Sequence, residues 1–189
     1  MSTLLFLAEG FEEIEALATV DILRRADISV FTVSITEEKK VIGKNGVAVI
    51  ADKVFEEIID TKADMLILPG GPGVGILNEH QGLKKLIKKY YDQGKWIAAI
   101  CAAPTILGKL GLLEERKAVC YPGLEKDLKG AIIPEEEVLS LDAKIITSKG
   151  PGTTFVFALK IVEVLKGAEV AREVGSGMIY LGDLSMKIR

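Results

Sequence analysis

Short apolar runs recur along the chain with helix-spaced segments between them, and this alternation constrains the fold more than any other feature. Leu4 to Leu7, Ile28 to Ile35, Asp64 to Leu68 and Ile97 to Ile100 each have the length and composition of one strand. Between them, Glu12 to Ala26 repeats apolar residues at helical spacing through Ile14, Leu17, Ala18 and Ile22, and Leu77 to Gln93 predicts a second helix. After Ile100 come Lys117 to Cys120, a polar excursion through Glu135-Glu136-Glu137, a strand at Lys144 to Thr147, and a final long helix from about Thr153 to Leu165. One segment departs from the series: Val41-Ile42 and Val47 to Ile50 flank the turn-like Gly43-Lys44-Asn45-Gly46, which predicts an inserted β-hairpin over Lys39 to Ala51. Buried strands alternating with helices predict a mostly parallel sheet covered on both faces. No repeat, low-complexity tract or linker divides the sequence, so the expectation is a three-layer α/β/α sandwich forming a single domain over residues 1–189.

Composition narrows the setting. A chain of 189 residues can bury a substantial core without covalent staples. The formal charge of -3 gives no general basic field, so nucleic acid is not an implied partner. No apolar run approaches a membrane span. The amino terminus passes directly into Leu4-Leu5-Phe6-Leu7, which looks like a first strand rather than a secretory signal. Two cysteines, Cys101 and Cys120, make no disulfide framework, and the expected compartment is a reducing cytoplasm.

Cys101 stands where the Ile97–Ile100 strand runs into a helix reaching about Leu110, with Pro104 suited to its first turn. Backbone N–H groups at such a turn favour thiolate over thiol, which would lower the thiol's pKa. Position alone leaves two readings open, a small core residue and a presented nucleophile. In open α/β sheets the crevice lies beyond the carboxyl ends of the parallel strands. Three segments could converge there: Glu9 to Glu15 after the first strand, Gly70 and Gly71 after Leu68, and Cys101. Glycines let backbone approach a ligand, and a carboxylic acid can shuttle a proton to a thiolate. The same features also have plain structural readings, since Pro-Gly-Gly is a common turn and acids suit a helix start. Glu12 and Glu13 are most simply solvated, whereas Glu15, beside the apolar Ile14, could reach a buried edge.

The segments Leu7-Ala8-Glu9-Gly10-Phe11-Glu12-Glu13-Ile14-Glu15, Val20-Asp21-Ile22-Leu23-Arg24-Arg25-Ala26, Ile67-Leu68-Pro69-Gly70-Gly71, Ala98-Ala99-Ile100-Cys101-Ala102-Ala103-Pro104-Thr105 and Thr147-Ser148-Lys149-Gly150-Pro151-Gly152-Thr153 resemble the DJ-1/ThiJ/PfpI superfamily, in its DJ-1-like branch. The resemblance implies a flavodoxin-like domain, a homodimer, and a nucleophilic, oxidation-sensitive cysteine hydrogen-bonded to a protonated glutamate, which map onto Cys101 and Glu15. It maps Gly70 and Gly71 onto the loop facing the cysteine and the Ala102 amide onto the other half of an oxyanion site. Arg25, Tyr121, Gly150 and Pro151 fall at the site's periphery. The implied dimer contact corresponds to about Glu15 to Arg25 and Lys39 to Ile50, where Ala16, Leu17, Thr19 and Val20 widen the helix's apolar surface.

Where many members place a histidine, this chain has Tyr121 in Cys120-Tyr121-Pro122-Gly123. The one histidine, His80, sits at a helix start, where a solvated or capping role is expected. A Cys-His dyad and glutamine amidotransfer, which needs a His base, are therefore disfavoured. One His and two distant Cys match no zinc spacing, so no metal is expected. Without a G-x-x-x-x-G-K-[ST] loop, the kinase chemistry suggested by the thiazole-biosynthesis (ThiJ) name is not expected. The expected function is a cysteine-dependent enzyme, without cofactor, acting on small reactive carbonyls such as methylglyoxal or glyoxal, with deglycase activity drawing on the same groups. The alternatives are a redox sensor and an oxidation-regulated chaperone built on Cys101. Cys120 is expected to be structural rather than a resolving thiol.

Overall fold

The computed structural model describes residues 1–182. Its strands are β1 (Ser2–Leu7), β2 (Ser29–Ser34), β3 (Lys40–Ile42), β4 (Ala48–Ile50), β5 (Lys53–Val54), β6 (Met65–Leu68), β7 (Trp96–Ile100), β8 (Leu139–Asp142) and β9 (Ile145–Ser148). Its α-helices are α1 (Thr19–Arg25), α2 (Val74–Glu79), α3 (Gln81–Asp92), α4 (Pro104–Lys109), α5 (Thr154–Lys166) and α6 (Ala168–Gly177). Seven strands form one sheet in the order β5-β2-β1-β6-β7-β9-β8, and within it β8 alone pairs antiparallel. β3 and β4 pair with each other as the expected separate hairpin.

Period-2 alternation in the strands builds the layers. Leu4 and Phe6 join Leu66, Leu68, Ile97 and Ala99 in a core that takes in Leu77, Leu83, Ile87, Ile106 and Leu107 from α2, α3 and α4. Leu5 and Leu7 point the other way, to Ile67, Ala98 and Ile100, and meet Ile22 and Leu23 of α1 with Phe157 and Ile161 of α5. The sheet is therefore buried on both sides, as its apolar strands require. Chain order reverses at β1, whose successor β2 lies on one side while β6 lies on the other. The crevice between loops that diverge at such a reversal is where α/β sheets bind ligands.

Several elements differ from expectation. The helix expected over Leu77–Gln93 is two helices, broken at the extended His80. His80 caps α3 by accepting the Leu83 N–H at Nδ1 (3.0 Å), and its ring packs edge-on to Phe55. Lys117 to Cys120 does not join the sheet: Lys117 makes one bridge to Ile132, and the Val119 N–H is taken by the Thr147 hydroxyl. The short β5 and the partly polar β8 carry too little apolar signal to be read as strands. α6 follows α5 after Gly167, and its mixed composition, with two glycines, hid it. Residues 183–189 of the expected 1–189 domain lie outside the described residues.

The stripe expected on the first helix is rotated. Ile22 is buried as expected, but Ile14 and Leu17 are 51% and 36% exposed, while Glu15 and Ala16 face inward. The physical reason is that Ile14–Ala18 forms a π-helical turn, wider than an α turn, before α1 begins. Apolar spacing calculated for an α-helix therefore points the wrong way at this end.

Candidate active site

The loops that follow β1, β6 and β7 leave adjacent strands at their carboxyl ends. At the third of them Cys101 has φ of +65°, a left-handed backbone uncommon for a residue with a side chain. Neighbouring chain segments hold it there. Its N–H donates to the Ser148 carbonyl at 2.9 Å, and its carbonyl accepts the Tyr121 N–H at 2.8 Å. Such strain persists only where surrounding structure over-determines it. The turn carries the chain into α4, which begins at Pro104, and leaves Cys101 8% exposed.

Glu15 is 1% exposed and lies against this thiol. Its Oε2 accepts the Gly70 N–H at 2.7 Å, while Oε1 is buried with no formed hydrogen bond. Gly70 has no room for a side chain: a Cβ there would stand 2.5 Å from Cys101 Cβ, 2.8 Å from Glu15 Oε2 and 2.9 Å from Cys101 Sγ. Gly71 has φ of +91°, and a Cβ on it would meet the Gly10 carbonyl oxygen at 2.5 Å. The two glycines have different tasks. The Gly70 amide is engaged by Glu15, while the N–H groups of Gly71 and Ala102 face the sulfur. The N–H groups directed at the sulfur are therefore those of Gly71 and Ala102, while the Gly70 N–H is taken by Glu15.

Burial pushes the Glu15 carboxyl up to about 7 against the hydrogen bond from Gly70. Burial, then the charge and hydrogen bonding of Glu15, push the Cys101 thiol up to about 12, with the Gly71 and Ala102 amides opposing. The depressed thiol expected from a helix start is thus not found, because desolvation beside a carboxylate outweighs a few N–H dipoles. The Glu15 contributions reverse once Glu15 holds the proton. Carboxylate with thiol and carboxylic acid with thiolate carry the same net charge, so the two groups act as one titrating pair.

Glu12 and Glu13, expected in solvent, are 3% and 7% exposed. Glu12 Oε2 accepts the Glu15 N–H at 2.8 Å, and the Glu12 N–H donates to the Gly70 carbonyl at 3.0 Å. Glu13 accepts from the Asn45 N–H (2.7 Å) and side-chain amide (3.0 Å), pinning the hairpin turn over the first loop. Burial opposes ionisation of Glu13, but these bonds hold it below the usual carboxylate range. The Glu12-x-x-Glu15 spacing was a usable signal, since a side-chain acceptor three residues before a free N–H is a capping arrangement.

Tyr121 is 49% exposed, and its ring lies over Gly150, where a Cβ would stand 3.4 Å from it. Pro151 opens the 3₁₀ turn that follows. These three form one rim, joined to Cys101 through its backbone bonds to Tyr121 and Ser148. Arg25 is elsewhere. It ends α1, pairs with Asp21 at 2.7 Å and precedes β2, on the side of the sheet where β1 and β2 begin, whereas Cys101 follows the carboxyl end of β7. Cys120 is buried beside a cavity of about 370 Å³ lined also by Glu125, Glu135 and Lys149. Burial and the charges of Glu125 and Asp127 push its thiol up to about 12. Both cysteines are free thiols. Among the described residues no cluster of His, Cys, Asp and Glu could hold a metal ion, and no helix is long and apolar enough to cross a membrane.

Residues 1–164 match the family model described as the DJ-1/PfpI family. Protein DJ-1 homolog B of Arabidopsis thaliana is 38% identical over 92% of this chain, which spans 40% of that relative's own length. A Caenorhabditis elegans protein named glutathione-independent glyoxalase DJR-1.2 is 37% identical over 85% of this chain and 86% of its own. Among solved structures, oxidized DJ-1 of Toxoplasma gondii superposes with a TM-score of 0.92 at 36% identity, covering 96% of this chain and 99% of that one.

Proposed function

Because the chain belongs to the DJ-1/PfpI family, we propose that Cys101 and Glu15 act together on small reactive carbonyls, converting methylglyoxal or glyoxal to the 2-hydroxy acid without glutathione. The observation that carries this is the buried pair itself: a strained cysteine facing a carboxyl near neutrality that has one oxygen free of formed hydrogen bonds. The glyoxalase named in C. elegans, alike over most of both chains, supports the same chemistry.

The sulfur adds to the aldehyde carbon. A C–S bond forms as the carbonyl π bond breaks, and the thiol's proton passes through Glu15 to the new hydroxyl. The Gly71 and Ala102 N–H groups stabilise negative charge as it moves between sulfur and oxygen. Glu15 then takes the hydrogen on that carbon as a proton, and the electron pair moves toward the neighbouring carbonyl. Returning that proton to the neighbouring carbon, while the proton on the first carbon's hydroxyl passes to the neighbouring oxygen, leaves a thioester beside a hydroxyl. Water adds, the C–S bond breaks, and the thiol returns with release of the 2-hydroxy acid. One carbon is oxidised and its neighbour reduced within the same molecule, so no external oxidant or reductant enters. The test is steady-state formation of lactate from methylglyoxal and glycolate from glyoxal, with Cys101→Ser alongside. Turnover that survives in Cys101→Ser overturns the proposal.

A second reading is oxidation of Cys101 as a signal, favoured by the oxidized state named for the Toxoplasma protein. Peroxide-dependent binding of a partner by a protein inert toward carbonyls would establish it instead. In either case the molecule acts as a cytoplasmic homodimer. Exposed Ile14 and Leu17 on the first helical turn, with exposed Ile42, Val47 and Ile50 on the hairpin, support the contact expected between copies.

A further inference from the structure

We propose that Glu12 is a positioning residue for the Cys101–Glu15 pair: it closes a ring of three hydrogen bonds that fixes the Glu15 carboxyl against the cysteine and holds its proton there. This rests on the reading of Glu15 as the proton-transfer group. The ring runs from the Glu12 N–H to the Gly70 carbonyl (3.0 Å), from the Gly70 N–H to Glu15 Oε2 (2.7 Å), and from the Glu15 N–H back to Glu12 Oε2 (2.8 Å). One peptide residue, Gly70, thus binds both acids, through its carbonyl and its amide. The loop after β6 and the turn after β1 are locked in one register at the point where Glu15 meets the thiol.

A carboxylate only 3% exposed is costly unless something compensates it. An aspartate or asparagine could cap a helix start equally well from the surface. Burying a second acid beside Glu15 has a different consequence, since two like charges in one small space disfavour the second ionisation. Burial is the main cause of the raised Glu15 pKa, and four groups adjust it. The Glu12 carboxylate raises its pKa, the Gly70 N–H and Cys101 thiol favour the ionised form, and Lys44 of the hairpin turn lowers it from a distance. Glu12 alone combines a charge effect with a direct hydrogen bond to the Glu15 backbone. The π-helical turn completes the arrangement, because the Thr19 hydroxyl donates to the Glu15 carbonyl at 2.6 Å and holds the widened turn from the other side.

The two contributions separate by substitution. Glu12→Gln keeps an acceptor for the Glu15 N–H and removes the charge. Glu12→Ala removes both. The readouts, in the full chain, are the Glu15 carboxyl titration followed by its ¹³C shift, assigned with Glu15→Gln, and amide exchange at Glu15. In Glu12→Gln the Glu15 midpoint should fall by about half a pH unit or more with exchange near native. In Glu12→Ala, exchange at the Glu15 amide should also rise about tenfold, as expected for loss of a hydrogen bond near 1.4 kcal/mol. If Glu12→Ala does not fold, Glu12→Asp, which retains charge on a shorter arm, should show faster exchange with a higher midpoint than Glu12→Gln. An unchanged midpoint in Glu12→Gln overturns the proposal, as does lowered thermal stability with a native Glu15 titration. Neither readout involves a carbonyl substrate, so absence of methylglyoxal turnover in the native protein would sink the proposed activity without touching this result.

Discussion

A buried acid whose pKa is raised affects stability in the opposite sense to a salt-bridged one. Glu15 moves from 4.5 to about 7 on folding, so between those values the folded state holds more protons than the unfolded chain. Its contribution is fully favourable below about 4.5 and is lost as pH rises through about 7, where ionising it costs up to about 3 kcal/mol. Glu15→Gln should therefore gain stability relative to the native protein as pH rises from 4.5 to 8, which paired urea melts would measure; a constant gap would contradict the raised pKa. The same variant should lose about hundredfold or more in carbonyl turnover and the rate limb near pH 7, because an amide cannot exchange the proton. Native-like kcat in Glu15→Gln removes Glu15 as the acid–base group. At this scale the strand-to-helix junction singled out Cys101 but left a core residue and a presented nucleophile both open, and spacing allowed Glu15 a buried edge without choosing it over Ile14; the resemblance was needed to pair the two. Glu12 was misread as solvated because its partners, the Gly70 carbonyl and the Glu15 N–H, are backbone groups brought together only by folding.

Between elements, the site depends on how closely the loop after β6 approaches the turn after β1. Gly70→Ala puts a methyl group 2.5 Å from Cys101 Cβ, so backbone must shift and the Gly70 N–H must move from Glu15. Its expected result is a folded protein with lower melting temperature, a displaced Glu15 titration and turnover reduced at least tenfold. An active Gly70→Ala with native titration would show that this packing does not set the pair. Glu13→Ala tests a separate joint: losing both Asn45 bonds should speed amide exchange across 40–50 while β1 and β7 remain protected. Protection unchanged through the hairpin would assign its placement to other bonds, such as Gly10 N–H to Ile42 carbonyl. The strands β1, β6 and β7 were readable because burial on both faces leaves apolar runs, and β2 and β9 because they are rich in β-branched residues. β5 and β8 are edge strands too short or too polar to leave one. The π turn defeated helical spacing for a geometric reason, since an apolar period of 3.6 has no meaning across a wider turn.

At the scale of the whole molecule, the rotated first turn leaves Ile14 and Leu17 on the outside, where one chain offers them no cover. Ile42, Val47 and Ile50 are exposed on the hairpin, and the Glu13–Asn45 bonds hold that hairpin beside the same turn. An isologous contact would cover both groups at once, each copy presenting the same patch. The widened apolar surface expected on this helix is only partly available: Ala16, Thr19 and Val20 are buried within the chain's own core. Val20 is thus a poor probe of association, because a charge there would disrupt folding first. Leu17→Asp is the better one. It adds a charge at a position 36% exposed in the single chain and, if the contact is isologous, it places two charges across the interface. Native protein should sediment as a dimer at micromolar concentration and Leu17→Asp as a folded monomer. Because Glu15 lies within the same π turn, loss of the partner should also alter the Glu15 titration. A native chain that sediments as a monomer, while retaining its Glu15 midpoint near 7, would place the whole site within one copy and leave the exposed apolar patch to another purpose.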